Sequence, residues 1–434
     1  MKFKFLIAIT ALAAAPAIGF CQDVNKLIKQ DDVERIIKTL SADDMEGRGT
    51  FTKGIEKAAT FIEGELKAAG LKPFTGNTGF RQNFSMVSTS PVSSKVTING
   101  AEVSAANIAI SASGSFNWAS TDGVDVVKIG AGKDFATEYR AIFSGGKKQL
   151  VLIDTSFTKN FNRLANRYKR DGISFKEADN TAPIIVFLLG GFGDFKSASV
   201  KYEVKSTEKP LFNVVGIIPG KSKPNEYVVF GGHYDHLGIM TKAMDGDSIA
   251  NGADDDASGT TAVITLAKYY KKLNNNERTL VFVAFTAEEI GGFGSQYFSK
   301  QLDPDKVVTL FNIEMIGKAA KFGENSAFIT GFERSDFGTI LQKNLEGTAF
   351  KFYPDPYPEQ NLFYRSDNAT LAALGVPAHT ISTDQIPTDK LYHTVKDEYA
   401  SLDVNNIVAT IRAIALSSRS IVAGKDTPTR IPKK

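Results

Sequence analysis

Leu280 to Phe285 is a continuous apolar run, bounded by Arg278-Thr279 before it and Thr286 after it. A strand of that texture is buried on both faces, which requires a central place in a sheet with helices packed on each side. The neighbouring sequence alternates in the matching rhythm. From Leu211 onward, Asn213 to Ile218 and Tyr227 to Phe230 read as strands. Ala257 to Leu273 reads as a helix with Val263, Leu266, Ala267 and Tyr270 on one face. Glu288 to Lys300 reads as a second helix and Val307 to Ile313 as another strand, with later helices over Asp336 to Leu345, Thr370 to Leu374 and Asp403 to Ser418. The expected fold class is therefore α/β: a three-layer domain with a mixed sheet flanked by helices.

The 434 residues exceed one ordinary domain of about 150 residues. Val24 to Phe74 is helical in pattern, with Ile55, Ala59, Ile62, Leu66 and Ala69 recurring at three and four residues and Gly70 as a stop. Between Asn83 and Lys209, short alternating runs such as Ser94 to Ile98, Gln149 to Ile153 and Pro183 to Leu189 are separated by Ser, Gly and Asn. That texture predicts an inserted β-rich domain. The expected plan is an export signal over 1–21, the first part of the main domain over 22–90, the insertion over 91–208, the rest of the main domain over 209–423, and a loose basic tail over 424–434.

The export signal rests on Lys2 and Lys4 followed by the apolar run Phe5 to Phe20. At sixteen residues this run is shorter than the roughly 20 needed to span a bilayer. Cleavage after Cys21 is expected. Bulky Phe20 argues against the alternative of a lipid anchor on Cys21. The chain then reads as periplasmic or secreted, with no transmembrane segment after signal removal.

Composition removes several functions. Lys plus Arg number 51 and Asp plus Glu 48, for a net charge of +3, so nothing favours nucleic acid as a partner. A single cysteine excludes a disulfide framework and a thiolate zinc site. The four histidines are His233, His236, His379 and His393, so any metal site must be built mainly from carboxylates.

Polar residues collect where an α/β sheet binds its ligands, beyond the carboxyl ends of strands. Gly231-Gly232-His233-Tyr234-Asp235-His236 follows one strand, and Asn251-Gly252-Ala253-Asp254-Asp255-Asp256-Ala257-Ser258-Gly259 opens a helix. Thr286-Ala287-Glu288-Glu289 follows the apolar strand, Glu314 ends the next, and Lys390-Leu391-Tyr392-His393 lies near the C-terminus. Each element alone has an ordinary structural explanation as a cap, a first-turn acid or a polar strand end. Together they would crowd carboxylates at one rim, which is costly unless a cation neutralises them. Two imidazoles and three carboxylates suit a pair of divalent ions sharing one bridging carboxylate, with zinc or cobalt favoured by the mixed nitrogen and oxygen donors. Of Glu288 and Glu289, read as adjacent helical positions about 100° apart, one would be a ligand and the other the base. Asp235, two residues from His233 on the same strand face, is expected to orient its imidazole.

Here the sequence resembles the M28 zinc peptidases, a family that includes secreted bacterial aminopeptidases. The resemblance lies in residues 231 to 238, 251 to 259, 286 to 291, 312 to 317, Arg365-Ser366-Asp367 and Tyr392-His393-Thr394, in order over about Leu211 to Ala423. Met45-Glu46-Gly47-Arg48-Gly49 is similar to the family's opening segment. The resemblance implies that His233, Asp255, Glu289, Glu314 and His393 bind two zinc ions, with Asp255 bridging because it stands four residues before Gly259. It implies Glu288 as the general base and peptides with a free N-terminus as substrates. It also implies a protease-associated type for the insertion. Position 314 is Glu where the family most often has Asp, and Asn368 stands where relatives often have His. Three other readings share the fold: a glutaminyl cyclase with one metal, a carboxypeptidase, and a catalytically silent peptide-binding module. His236 and His379 are expected to be structural.

Overall fold

The computed structural model describes residues 24–177 and 182–434, so the export signal expected over 1–21 lies outside the described residues. The chain forms two compact units, one of residues up to Asn83 together with Phe212–Lys434, the other of Phe84–Leu211.

The first unit begins with helices α1 (Gln30–Leu40) and α2 (Lys53–Ala68). Thr52 caps α2 by accepting the Gly54 amide at 3.2 Å, and Gly70 follows the helix with a φ of +80° that suits glycine. Strand β1 (Ala198–Ile218) enters this unit at Phe212. Then come β2 (Lys223–His233), α3 (Gly259–Leu273), β3 (Arg278–Phe285), α4 (Phe293–Lys300) and β4 (Val307–Ile313). They are followed by β5 (Ser326–Ile329), α5 (Phe337–Asn344), β6 (Lys351–Pro354), α6 (Asn368–Ala373), β7 (Ala378–Ser382) and α7 (Val404–Ser417).

The strand order is β6-β5-β7-β4-β2-β3-β1. Strands β3, β2, β4 and β7 run parallel, whereas β1 is antiparallel to β3 and β5 to β7. Register aligns His233 with Phe285 and Gly231 with Asn312, so the carboxyl ends of β2, β3 and β4 finish level with one another. Side chains alternate between two cores. Val228, Phe230, Leu280, Phe282 and Phe311 pack with α1, α2, α3, α5 and α7 on one face. Val229, Val281, Val283, Phe285 and Leu310 pack with Phe298 of α4 and Leu371 of α6 on the other. The expected three layers are present, and all eight residues of β3 are buried.

The second unit contains a four-stranded sheet in the order Ile108–Ser111, Ile184–Leu189, Lys148–Ile153, Asp125–Ile129, whose last three strands are parallel. The expectation of a β-rich insertion missed two helices, Phe135–Ile142 and Thr158–Tyr168. Asp134 caps the first through the Thr137 amide, and Phe161, Leu164 and Ala165 of the second are buried against the sheet.

The C-terminal segment is not loose. Ile431 is buried in the second core and its amide donates to Gly375 O at 3.2 Å. Arg430 Nη1 donates to Val307 O at 2.8 Å, the Thr429 amide to Asp336 Oδ1 at 2.7 Å and the Lys434 amide to Ala373 O at 3.0 Å. One apolar anchor and the backbone bonds on either side of it outweigh the polarity that suggested a free tail. No helix among the described residues is long and apolar enough to cross a membrane.

Candidate metal centre

The loop Asn251–Ser258 is shaped by what its neighbours leave open. Gly252 has φ +55°, and a Cβ there would strike Asp255 O and the His236 ring. A Cβ on Gly259 would strike Ile313 O and the Asp256 carboxylate, so only glycine lets α3 begin against the end of β4. The three aspartates then separate in role. Asp256 accepts the His233 amide at 3.2 Å, the Gly259 amide at 2.9 Å and the Met315 amide at 3.1 Å, tying three chain segments together. Asp254 accepts the Gly317 amide at 2.7 Å and meets Lys318 Nζ at 3.1 Å. Only Asp255 turns its carboxylate to the histidines. Its Oδ1 lies 3.2 Å from His233 Nε2, and its Oδ2 lies 3.3 Å from His393 Nε2.

Glu289 Oε2 is 3.1 Å from the same His393 nitrogen, and Glu289 Oε1 is 2.7 Å from His236 Nδ1. Glu288 and Glu314 join Asp255 in the wall of one cavity of about 730 Å³, its open mouth included. All six positions singled out as ligands or base are thus brought to one place. Glu314 follows β4 with its amide bonded to Ile381 O at 3.1 Å, and Asn312 Nδ2 approaches its Oε2 at 3.4 Å.

Three local expectations are corrected. The helix expected from Glu288 starts only at Phe293, because Ala287, Gly291 and Gly292 all take positive φ. The two glutamates therefore diverge from a tight turn rather than from successive helical positions. Asp235 does not orient His233 through its carboxylate, which is 3.9 Å from Nδ1. The backbone carbonyl of Asp235 does so at 3.1 Å. The carboxylate is engaged elsewhere, by the amides of Glu288 (3.1 Å) and Glu289 (3.3 Å) and the Thr50 hydroxyl (3.1 Å). It fixes the turn that presents both glutamates. Finally, His236 is no remote structural residue, since its ring lies beside Glu289 and 5.8 Å from His393 between centroids. His379 is structural, bonded to Thr330 O at 2.9 Å and Ser335 Oγ at 2.8 Å, and burial pulls its pKa down to about 4. Asn368 faces the fold, donating to Phe363 O and Ala378 O.

Electrostatics follow from this crowding. Burial pulls the His233 imidazole towards neutrality, yet Asp255, Glu288 and Asp256 outweigh it and raise its pKa well above the usual value. His393 is likewise raised to about 10 against its burial by Asp255 and Glu289. Asp255 is held well below the carboxylate range despite burial, because His236, His233 and His393 surround it. Glu288 goes the other way: burial, with Glu314 and Asp367 nearby, lifts it well above 4.5.

His233 Nε2, both ring nitrogens of His236, Asp255 Oδ2 and Glu289 Oε1 are buried and, apart from the ion-pair approaches just given, meet no hydrogen-bond partner. Buried polar atoms are normally paired, so five convergent orphans call for a ligand that satisfies imidazole nitrogens and carboxylate oxygens at once. A divalent cation does that, and the residues fit one. His236, Asp255 and Glu289 each offer a ligand atom within 4.8 Å of the others.

Sequence reasoning missed Arg48, which is fully buried behind this loop. Its guanidinium donates to Tyr234 O, Leu40 O and Gly252 O at 2.8 Å and to Asn251 O at 2.5 Å. Burial lowers its pKa, and Asp255, Asp397, Asp256 and Asp235 oppose that loss. Asp397 in turn accepts the amides of Asp254 and Asp255, each at 3.0 Å. The available signal was an arginine between two glycines in an otherwise amphipathic stretch.

The model of "Peptidase family M28" matches residues 213–417. Leucine aminopeptidase 1 of Ajellomyces capsulatus is 28% identical over 229 residues, covering 49% of this chain and 57% of the relative. Leucine aminopeptidase 1 of Pyrenophora tritici-repentis is 30% identical over 208 residues, covering 44% and 51%. The chain spans about half the length of the curated relatives it matches. Among solved structures, an aminopeptidase from Aneurinibacillus superposes with a TM-score of 0.54 at 18% identity, covering 95% of this chain and 97% of that one. A peptidase M28 precursor from Shewanella amazonensis gives 0.54 at 17%, covering 96% and 98%. At these identities the likeness is one of fold, a mixed sheet flanked by helices. The segment that matches the model of peptidase family M28, 213–417, is the one that carries the convergent histidines and carboxylates.

Proposed function

We propose that the protein is a metal-dependent aminopeptidase that removes N-terminal residues from peptides. One observation carries the reading: the two oxygens of Asp255 face two different imidazoles, among buried atoms that lack partners. A carboxylate so placed would serve a pair of ions. His233, Asp255 and Glu314 would hold one, and Asp255, Glu289 and His393 the other, with zinc favoured by the donor set. When bound, such ions polarise a carbonyl and lower the pKa of water.

The chain's own residues supply the remaining steps. Glu288 lines the cavity and is displaced from its usual pKa by burial. It would take the proton of the attacking water and return it to the leaving amine. Asp235 holds the amides of both glutamates, so the base and its neighbour keep separate directions. The positive charge of a free peptide amine suits the carboxylate-rich end of the cavity. The relatives named leucine aminopeptidase support the same activity. Action after export is part of the proposal, carried by Lys2, Lys4 and the apolar run Phe5 to Phe20, and N-terminal sequencing of the exported protein would detect an uncut segment.

The test is a panel of aminoacyl substrates, N-terminally free and acetylated, with and without chelator. Hydrolysis of the free amines alone, abolished by chelator and restored by zinc, is expected. Equal hydrolysis of the blocked substrates would refute exopeptidase action at the N-terminus.

A further inference from the structure

One buried acid in the cavity wall has no place in the chemistry above. Asp384 lies just beyond the carboxyl end of β7, is 3% exposed, and lines the same cavity as Asp255, Glu288 and Glu314. Its amide is bonded to Ser382 Oγ at 3.2 Å and its carboxyl group shares a hydrogen bond with Asp389, but no N–H or hydroxyl donor reaches its Oδ1. A buried carboxylate oxygen left unpaired is costly unless something arrives to meet it.

The nearest fixed cation is already committed. Lys318 Nζ sits 2.7 Å from Asp389 and 3.1 Å from Asp254. Asp254, Asp384 and Asp389 bring their oxygens within 4.8 Å of one another, so three carboxylates share one ammonium. Asp384 is the one of the three without an ion pair of its own among the described residues. A metal ion is a poor occupant of this cluster, because the Lys318 ammonium stands against two of its three acids.

Apolar groups occupy the rest of the wall. Phe328, Leu362 and Ile386 line the cavity, and Phe328 and Leu362 form a small core of their own with Ile386 packed on it. A long aliphatic stem fits such walls while its polar end seeks a partner. Arg365 lines the cavity too, but it is exposed, where water screens its charge; Asp384 is buried, where charge acts strongly.

Resting on the aminopeptidase reading, we infer that this cavity receives the side chain of the N-terminal residue and that Asp384 selects a cationic end, so that the substrates are peptides beginning with lysine or arginine. The stem would lie along Phe328, Leu362 and Ile386, and the ammonium or guanidinium would meet the free Oδ1 of Asp384. Burial, then Asp254 and Asp389, push the Asp384 pKa up to about 8 in the empty cavity. The acid is thus held mostly protonated until a cation offsets its neighbours, which limits the cost of leaving it unpaired.

The test uses the zinc-loaded full-length protein and two readouts. Hydrolysis of lysinamide, argininamide, leucinamide, norleucinamide and glutamic α-amide gives kcat/KM, and calorimetry gives the affinity of each amide directly. Lysinamide and argininamide are expected to exceed norleucinamide, the lysine analogue without its charge, by at least about tenfold in both readouts. In Asp384→Asn the lysine-to-norleucine ratio should fall towards one, while Asp384→Glu should keep a preference for the cation. If leucinamide or norleucinamide matches lysinamide in the natural protein, the selection by Asp384 is overturned and the aminopeptidase reading stands. If no amide is hydrolysed yet lysinamide still binds more tightly than norleucinamide, the selection stands and the aminopeptidase reading falls. Preference for the glutamic amide would overturn the assignment in favour of Arg365.

Discussion

Replacing Arg48 with methionine tests how the centre is held in place. Methionine is unbranched and apolar, so the change mainly removes the charged fork. Four backbone carbonyls, those of Tyr234, Leu40, Asn251 and Gly252, would lose their donor in a fully buried setting. Each unsatisfied acceptor costs about 1–3 kcal/mol, but the losses are not additive because the loop can relax. Removing one member of a buried charged network costs about 3–5 kcal/mol, and Asp255, Asp397, Asp256 and Asp235 would lose their counter-charge together. We therefore expect Arg48→Met to destabilise the first unit by about 3–5 kcal/mol. At roughly 2–4 °C per kcal/mol for a domain of this size, Tm should fall by on the order of 10 °C. The assay is a melt by circular dichroism with and without excess chelator. Because the bracing does not depend on bound metal, the drop should persist in the chelator. Arg48→Lys, which keeps the charge but not the planar fork, should fall between the two. A loss below about 1 kcal/mol for Arg48→Met would show that the four carbonyls find other donors and that the argument is wrong.

Other outcomes follow from the same geometry. Glu288→Gln should retain metal while turnover falls by about 10²- to 10⁴-fold, because the carboxamide cannot take a proton; normal turnover would remove Glu288 from its role. His236→Gln should weaken one ion by about 10- to 100-fold in a zinc titration, since Glu289 Oε1 loses the imidazole 2.7 Å away, and unchanged affinity would make His236 dispensable. Stability of the metal-free protein should fall as pH rises from about 4 to 8 through Asp384. Facing Asp254, Asp389 and Lys318, Asp384 has a folded pKa raised to about 8, above its unfolded value, so the folded state binds the proton more tightly in that window. Asp384→Asn should flatten that slope in urea titrations at several pH values, and an unaltered slope would refute it.

Much of the site could be read from sequence because its residues sit at places fixed by simple rules. His233, Glu288, Glu289 and Glu314 each follow an apolar strand, and parallel strands of similar length end together. Asp255 could not be separated from Asp254 and Asp256 by composition. The resemblance to the M28 peptidases separates it, by its distance from Gly259; in the structure Gly259 packs on Ile313 O, and the other two aspartates are backbone ties. What escaped depends on tertiary approach. His236 reaches Glu289 only because the chain turns after β2 and its ring lies on Gly252. The early start assigned to α4 failed because positive φ at Ala287, which only the packed loop enforces, outweighs helix propensity at Glu288. Ile431 looked like a stray apolar residue in a basic tail, and nothing local reveals the core that receives it. The helix Phe135–Ile142 did carry a signal, in Asp134 before Phe135, Tyr139 and Ile142 at helical spacing, that the surrounding strands obscured.

Counting metal on the purified protein and on Asp255→Asn by elemental analysis tests the central claim most directly, with hydrolysis followed in the same samples. The account predicts two zinc ions per chain at saturation, loss of both affinities in Asp255→Asn because its two oxygens face both histidines, and hydrolysis that vanishes and returns with the metal. One ion or none at saturation, or hydrolysis that survives complete metal removal, would contradict it.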